Sequence, residues 1–338
     1  MSVRFARISP APRIGAAIAS DPRKTAPVPP FLRSQAAAYV LLPLASMCWA
    51  GNHIVARAAS GHVPPASLAV VRWIVVGLLV GLAGSAHIRA DWPMIKSHLG
   101  ILAFLGILGG AIFGTLQFVA LQYTTALNMG VVGSVAPAFI VAASWLLFGD
   151  RLGPLQLTGV FISLTGVLAI VSQLDPGRLA GLSFNGGDLM IIVNMVFWGV
   201  YCACLKLRPP IHPLSFLLAV ATVSAIANIP FAIWEYAADF RLQPTALTAG
   251  TILYAALFTS LLAFVAWNRG IDLVGAPRAS AFLHTIPVFS ALLATTLLGE
   301  SLMLSHIVGF VLILAGVSLA ARPSRRQIDA ASLRDHGA

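Results

Sequence analysis

The sequence predicts an all-α membrane protein of ten transmembrane helices, arranged as two inverted five-helix repeats. Three observations carry this expectation: an apolar composition, ten apolar runs of membrane-crossing length, and a self-similarity at an offset of 150 residues. Of the 338 residues, 58% are hydrophobic and only 9% are charged. An ordinary soluble domain carries about 25% charged residues. A soluble fold of this size needs far more polar surface, so lipid is the expected solvent for most of this one.

A bilayer core of about 30 Å takes roughly 20 apolar residues per helix. Such runs fall at 36–56, 66–86, 99–121, 125–147, 155–172, 187–205, 214–234, 247–267, 278–298 and 303–321. They are continuous rather than alternating, which excludes a β-barrel. Ten spans put both termini on one side. Of the 21 Lys and Arg residues, 17 fall on that side, three (Arg57, Arg178 and Arg241) on the other, and Arg72 within a span. Positive residues stay cytoplasmic, so both termini are expected inside. Residues 1–35 read as a basic, Pro-rich cytosolic arm, with an organelle transit peptide or an early start codon as the other readings. Residues 322–338 read as a cytosolic tail. The net charge of +10 sits mostly at the ends and in alternate loops, whereas a nucleic-acid binder clusters it on a folded polar face.

The repeat is explicit. Pro137, Gly149-Asp150, Gly159 and Gly166 recur as Pro287, Gly299-Glu300, Gly309 and Gly316. Trp49 pairs with Trp198, and Pro65-Ala66-Ser67 with Pro213-Leu214-Ser215. Each unit, 36–172 and 187–321, has five spans. Five is odd, so the second unit enters the membrane from the opposite side. Inverted units create a pseudo-two-fold axis in the membrane plane and give a midplane site two related conformations. Glycines four apart, Gly106, Gly110 and Gly114 and also Gly77 and Gly81, are expected to form close-packing helix faces.

The stretch 263–320, with Gly275-Ala276-Pro277-Arg278-Ala279-Ser280, Pro287, Gly299-Glu300 and Gly309/Gly316, resembles the second EamA domain of the drug/metabolite transporter superfamily. The first half resembles the same domain through Trp49, Arg72, Ala126, Pro137, Gly149-Asp150, Gly159 and Gly166, with Asp150 where Glu is usual. The resemblance covers 36–321. It implies ten helices, an inner-membrane location, and transport or export of amino acids, other metabolites or drugs.

Every carboxylate lies in a tail, a loop or a helix end, and the acids at Asp150 and Glu300 are expected to cap the next helix. The titratable groups inside spans are His53, Arg72 and His284, with Lys206 near an end, and His53 and His284 are expected to contact the substrate or a proton. Arg72 reads either as an anion or carboxylate contact, through its paired donors, or as a structural cation; its repeat partner is Val220. Trp49, Asn52 and His53 share one helical face, placed toward a central cavity or hydrogen-bonded between helices. The repeat partners of that face are Trp198, Tyr201 and Cys202, with Asn194 one turn earlier. Gln117, Gln122, Asn128, Asn228 and Asn268 need partners in lipid, from other helices or from a substrate. Pro137 and Pro287 are expected to kink their helices and free carbonyls. Cys48, Cys202 and Cys204 read as small apolar packing residues.

The expected function is a membrane transporter, an exporter of small metabolites such as amino acids, with no cofactor and no metal. The expected partners are a small-molecule substrate, membrane lipid and a second copy in a homodimer. The rival within transport is a nucleotide-sugar or lipid-linked sugar carrier, which a basic cavity would favour. An enzyme would need clustered acids or ligands, which the chain lacks. A non-transporting scaffold would need large soluble domains or interaction tails.

Overall fold

Prolines begin several helices of this chain. Pro65, Pro154, Pro176 and Pro213 each occupy the first helical position, where the missing N–H has no partner to lose and the fixed φ suits the helix. The computed structural model describes residues 34–124, 132–181, 185–298 and 303–322. The arm before Ser34, the tail beyond Arg322, Ala126, Asn128 and the Gly299-Glu300 pair lie outside these residues.

All regular structure among the described residues is helical. In chain order the helices are α1 (Ala38–Ala59), α2 (Pro65–Ala83), α3 (Ser85–Ser97), α4 (Leu99–Leu105), α5 (Phe113–Ala120), α6 (Ala136–Phe148), α7 (Pro154–Ser172) and α8 (Pro176–Ala180). They continue with α9 (Gly186–Cys204), α10 (Pro213–Ala237), α11 (Ala246–Tyr254), α12 (Ala263–Val274), α13 (Ala276–Ser280), α14 (Ile286–Leu298) and α15 (Leu304–Ala320). A π-helical segment, Gly106–Ile112, joins α4 to α5, and another, Ala255–Leu262, joins α11 to α12.

Among the described residues, seven continuous helical stretches are long and apolar enough to cross a membrane: Gln35–Ala59, Pro65–Ala83, Leu99–Ala120, Pro154–Ser172, Gly186–Leu207, Pro213–Ala237 and Ala246–Val274. α6 and α15 are apolar but shorter, at 13 and 17 residues. Thirteen residues rise about 20 Å, short of the roughly 30 Å core. The expected span 278–298 is broken into α13, a 3-10 segment (Ala281–Thr285) and α14. Large apolar side chains stand exposed along the helices, among them Leu78, Leu82, Ile226, Phe231 and Val311, with Tyr123, Trp234 and Tyr236 exposed close to helix ends. Water would not tolerate so broad an apolar surface, and tryptophan and tyrosine favour the membrane–water boundary.

The repeat appears in the packing. α2 and α10, which begin at the related Pro65 and Pro213, lie side by side. The backbone N–H groups of Ala66 and Ser67 donate to the buried Glu235 carboxylate at 2.7 and 2.8 Å, and Ser67 Oγ donates to it at 2.7 Å. At the opposite end Gly84 meets Leu214. The start of one helix therefore faces the end of the other, and the pair is antiparallel. α7 and α15 behave alike. A Cβ on Gly159 would lie 2.5 Å from the Gly316 carbonyl, and one on Gly166 would lie 2.8 Å from the Gly309 carbonyl. Four glycines at repeat-related positions thus bring two antiparallel backbones together, where dispersion acts over a short distance. The π segments also correspond, since Gly106 and Ala255 are 149 residues apart.

Several local expectations are corrected. Asp150 does not cap α7. It accepts from Lys206 Nζ at 2.5 Å, while the N–H of Gly153, which precedes α7, donates to Gln156 Oε1 at 2.8 Å. Gly149 ends α6 with φ +72°, a conformation glycine adopts without steric cost. Pro137 and Pro287 each stand second in a helix, so the discontinuity precedes the proline instead of bending a continuous helix. Residues 87–97, expected as a connection between spans, belong to α3. This short helix carries Arg89, Asp91 and Lys96, with Trp92 half-exposed and only Ile95 buried, a pattern suited to a membrane interface.

α3 meets the start of α10 through His87 and His212, whose rings stack 3.9 Å apart. Asp91 accepts the His212 N–H at 2.8 Å, and His212 Nδ1 accepts the Leu214 N–H at 3.2 Å. Burial, followed by the neighbouring His87, holds the His212 imidazole below its ordinary value, with Asp91 opposing.

Four outcomes follow. Gly166→Ala forces the α7–α15 contact apart and should destabilise the protein by about 1–3 kcal/mol, as overpacking does. Gly81→Ala, with no atom within 4 Å of the added methyl, should leave the melting temperature in detergent unchanged or slightly raised. Because the folded state holds His212 neutral longer than the unfolded chain does, stability should be full above pH 6.5 and fall as pH drops from 6.5 toward the lowered folded value. His212→Asn, which keeps a capping acceptor but does not titrate, should flatten that slope in melts between pH 5 and 7.5.

Candidate functional site

Aromatic residues meet where the two halves join. The repeat partners Trp49 and Trp198 pack edge-to-face with ring centroids 5.5 Å apart. Trp267 lies 5.2 Å from Trp49, and Phe113 and Tyr201 each stack on Trp198, at 4.0 and 5.1 Å. This cluster backs a narrow cleft that is partly open to solvent. Its walls are Trp49 and Asn52 of α1, Arg72 and Trp73 of α2, Gly109, then Phe113, Gly114 and Gln117 of α5, Thr259 and Ser260, and Phe264 of α12. Both repeats contribute, and both π segments reach the lining.

Arg72 is 2% exposed. Its guanidinium lies 5.4 Å from the centroid of Trp73 and 5.9 Å from that of Phe118, which offers cation–π attraction. Its Nε has no hydrogen-bond partner. No carboxylate among the described residues forms an ion pair with it. Gly114 leaves it room, because a Cβ there would collide with Nη2. The Trp73 indole N–H also lacks an acceptor. Across the cleft Thr259 Oγ1 donates to Asn52 Oδ1 at 3.2 Å.

The structure thus brings together four of the residues expected at a substrate site: Trp49, Asn52, Arg72 and Gln117. Asn194 and Tyr201 lie behind the lining. Asn194 Nδ2 donates to the Phe113 carbonyl at 3.2 Å, and Tyr201 donates to Asn268 Oδ1 at 2.9 Å. Asn268 lines a second cleft with Arg208, Phe216 and Asp272, where Arg208 pairs with Asp272 at 2.8 Å. His53 is half-buried and outside the lining of both clefts. His284 is buried elsewhere, between Ser163 Oγ at 2.5 Å and the Ser134 carbonyl at 3.1 Å. A carbonyl only accepts, so Nε2 carries the proton on that side. Ser134 and His284 are repeat-related, so this contact joins the two halves.

Sequence reasoning missed Trp73, Phe113, Gly114, Thr259, Ser260 and Phe264. The repeat offset held the signal for two of them. Thr259 and Ser260 correspond to Gly109 and Gly110, so hydroxyls replace glycines within an apolar run. Gly114 was assigned to a helix-packing stripe, and its neighbour is instead the guanidinium.

Comparison with known proteins agrees with this architecture. The model of the EamA-like transporter family matches twice, over residues 36–172 and 185–322. An uncharacterized transporter, YyaM, of Bacillus subtilis is 25% identical over 301 residues, covering 84% of this chain and 93% of its own. An uncharacterized transporter of Archaeoglobus fulgidus is 28% identical over 293 residues, covering 83% and 96%. The aromatic amino acid exporter YddG of Ancylobacter novellus is 26% identical over 283 residues, covering 80% and 93%. A solved crystal structure at 21% identity superposes with a TM-score of 0.67, covering 85% of this chain and 97% of its own, and so shares the fold. Two matched domains that fill most of the chain, on a helical body with an apolar exterior, make this protein a multi-pass membrane transporter of the EamA-like family.

Proposed function

We propose that this protein exports small metabolites such as amino acids, by alternating access between two inverted five-helix halves. The full arrangement has ten transmembrane helices in the inner membrane and both termini in the cytoplasm. The observation that carries the reading is the cleft built from both repeats at the centre of antiparallel, repeat-related helices. Such a pair of halves has two equivalent ways to tilt about a shared site, one opening to each side. The name of the Ancylobacter relative supports an amino-acid substrate, and the aromatic walls suit an amphipathic solute. A nucleotide-sugar carrier would have to neutralise a diphosphate, and Arg72 is the sole charged residue among the described residues of the lining.

The test is transport itself. Purified protein in liposomes loaded with a mixed panel of amino acids and other small metabolites should release at least one solute saturably, at a rate well above that of protein-free liposomes. Release no faster than from protein-free liposomes across the whole panel, with and without a pH gradient, would reject the carrier reading.

A further inference from the structure

The geometry points to a carboxylate-bearing, aromatic monoanion as the ligand of the cleft, with Arg72 as the group that takes its carboxylate. This deepens the carrier reading above and rests on it. The first support is the state of Arg72 itself. It is buried, lines the cleft, and has neither an ion pair nor a hydrogen-bond partner at Nε among the described residues. Burying a charge without a counter-charge is expensive, and cation–π contact with Trp73 and Phe118 offsets only part of that. A bound carboxylate supplies the missing partner, because its two oxygens match the guanidinium fork.

The second support is the sign of the unmet demand. The Trp73 N–H is a further donor without an acceptor in the same lining. Both orphan groups ask for an acceptor and neither asks for a donor. The third is charge balance. Among the described residues the lining holds one formal positive charge and no carboxylate, so a net charge of −1 neutralises it. A ligand ammonium would meet only amide oxygens, hydroxyls and aromatic faces, so it is tolerated but not required. The fourth is the lining itself. Trp49, Trp73, Phe113 and Phe264 share the cleft wall with Arg72, and aromatic walls suit an aromatic ring.

Binding to wild-type protein in detergent, read by tryptophan fluorescence and by melting temperature, tests this with four probes. These are 3-phenylpropionate (carboxylate only), phenylalanine (carboxylate and ammonium), phenethylamine (ammonium only) and phenyl phosphate (a second anionic group). The expected result is saturable binding of 3-phenylpropionate, binding of phenylalanine no more than about tenfold tighter, and at least about tenfold weaker binding of phenethylamine and phenyl phosphate. Arg72→Gln should weaken 3-phenylpropionate at least about tenfold, and Arg72→Lys should lie between, because the forked contact is lost. Equal binding of phenethylamine, preferred binding of phenyl phosphate, or no binding of any probe would overturn the assignment. So would a folded Arg72→Gln protein that binds as well as wild type. Should Arg72→Gln fail to fold, the ranking of the probes on wild-type protein decides. Saturable transport restricted to solutes lacking a carboxylate would sink the inference and leave the carrier reading standing.

Discussion

Close antiparallel contact between repeat-related helices is the constraint on which the rest of this structure depends. Gly159 against Gly316 and Gly166 against Gly309 let two backbones meet where lipid provides no hydrophobic drive for association. Glu235 performs the complementary task at α2, where it accepts from the first backbone N–H groups of a helix that lacks a capping side chain. A negative charge at a helix start is favourable in any medium, and more so with water excluded. Together these contacts fix the halves head to tail. The aromatic cluster of Trp49, Trp198 and Trp267 can then sit on the axis between them.

The cleft follows from that arrangement. The repeat-related stretches Leu99–Ala120 and Ala246–Val274 are each widened into a π-helical turn at the same place, and such turns are frequent at functional sites because they disturb the regular hydrogen-bond ladder. In one half the widened turn carries Gly109 and Gly110, which admit Tyr201 and Ser224 from the other half. In the second it carries Thr259 and Ser260, which bring hydroxyls to the lining. Symmetry supplies the cavity, and its breakdown supplies the chemistry. Arg72 faces this space, while its partner position holds the apolar Val220. Behind the lining, Asn194 donates to the Phe113 carbonyl and Tyr201 donates to Asn268, and these bonds hold the walls in register.

Much of this was legible in the sequence because bilayer physics imposes simple rules. Long apolar runs, the offset of 150 residues and the glycine pairs gave the helical class and the duplicated plan. Trp49, Asn52, Arg72 and Gln117 were recognisable because polar or indole groups in an apolar helix need a reason to be there. Other features were hidden for identifiable causes. α3 is too polar and too short for a search tuned to spans. His284 looks like a substrate ligand by type, yet its partners Ser134 and Ser163 come from distant segments that only the fold brings near. Asp150 looks like a cap because it precedes a helix, but Lys206, 56 residues away, reaches it first.

The antiparallel arrangement of the halves is tested most directly by the sidedness of two related sites. His62 and Pro210 are exposed, occupy equivalent loops of the two repeats, and sit in a chain whose cysteines Cys48, Cys202 and Cys204 are all buried. Single His62→Cys and Pro210→Cys proteins, treated with a membrane-impermeant maleimide in intact cells, should differ. The first should label at once and the second only after the membrane is permeabilised. Labelling of both from the same side would contradict the account.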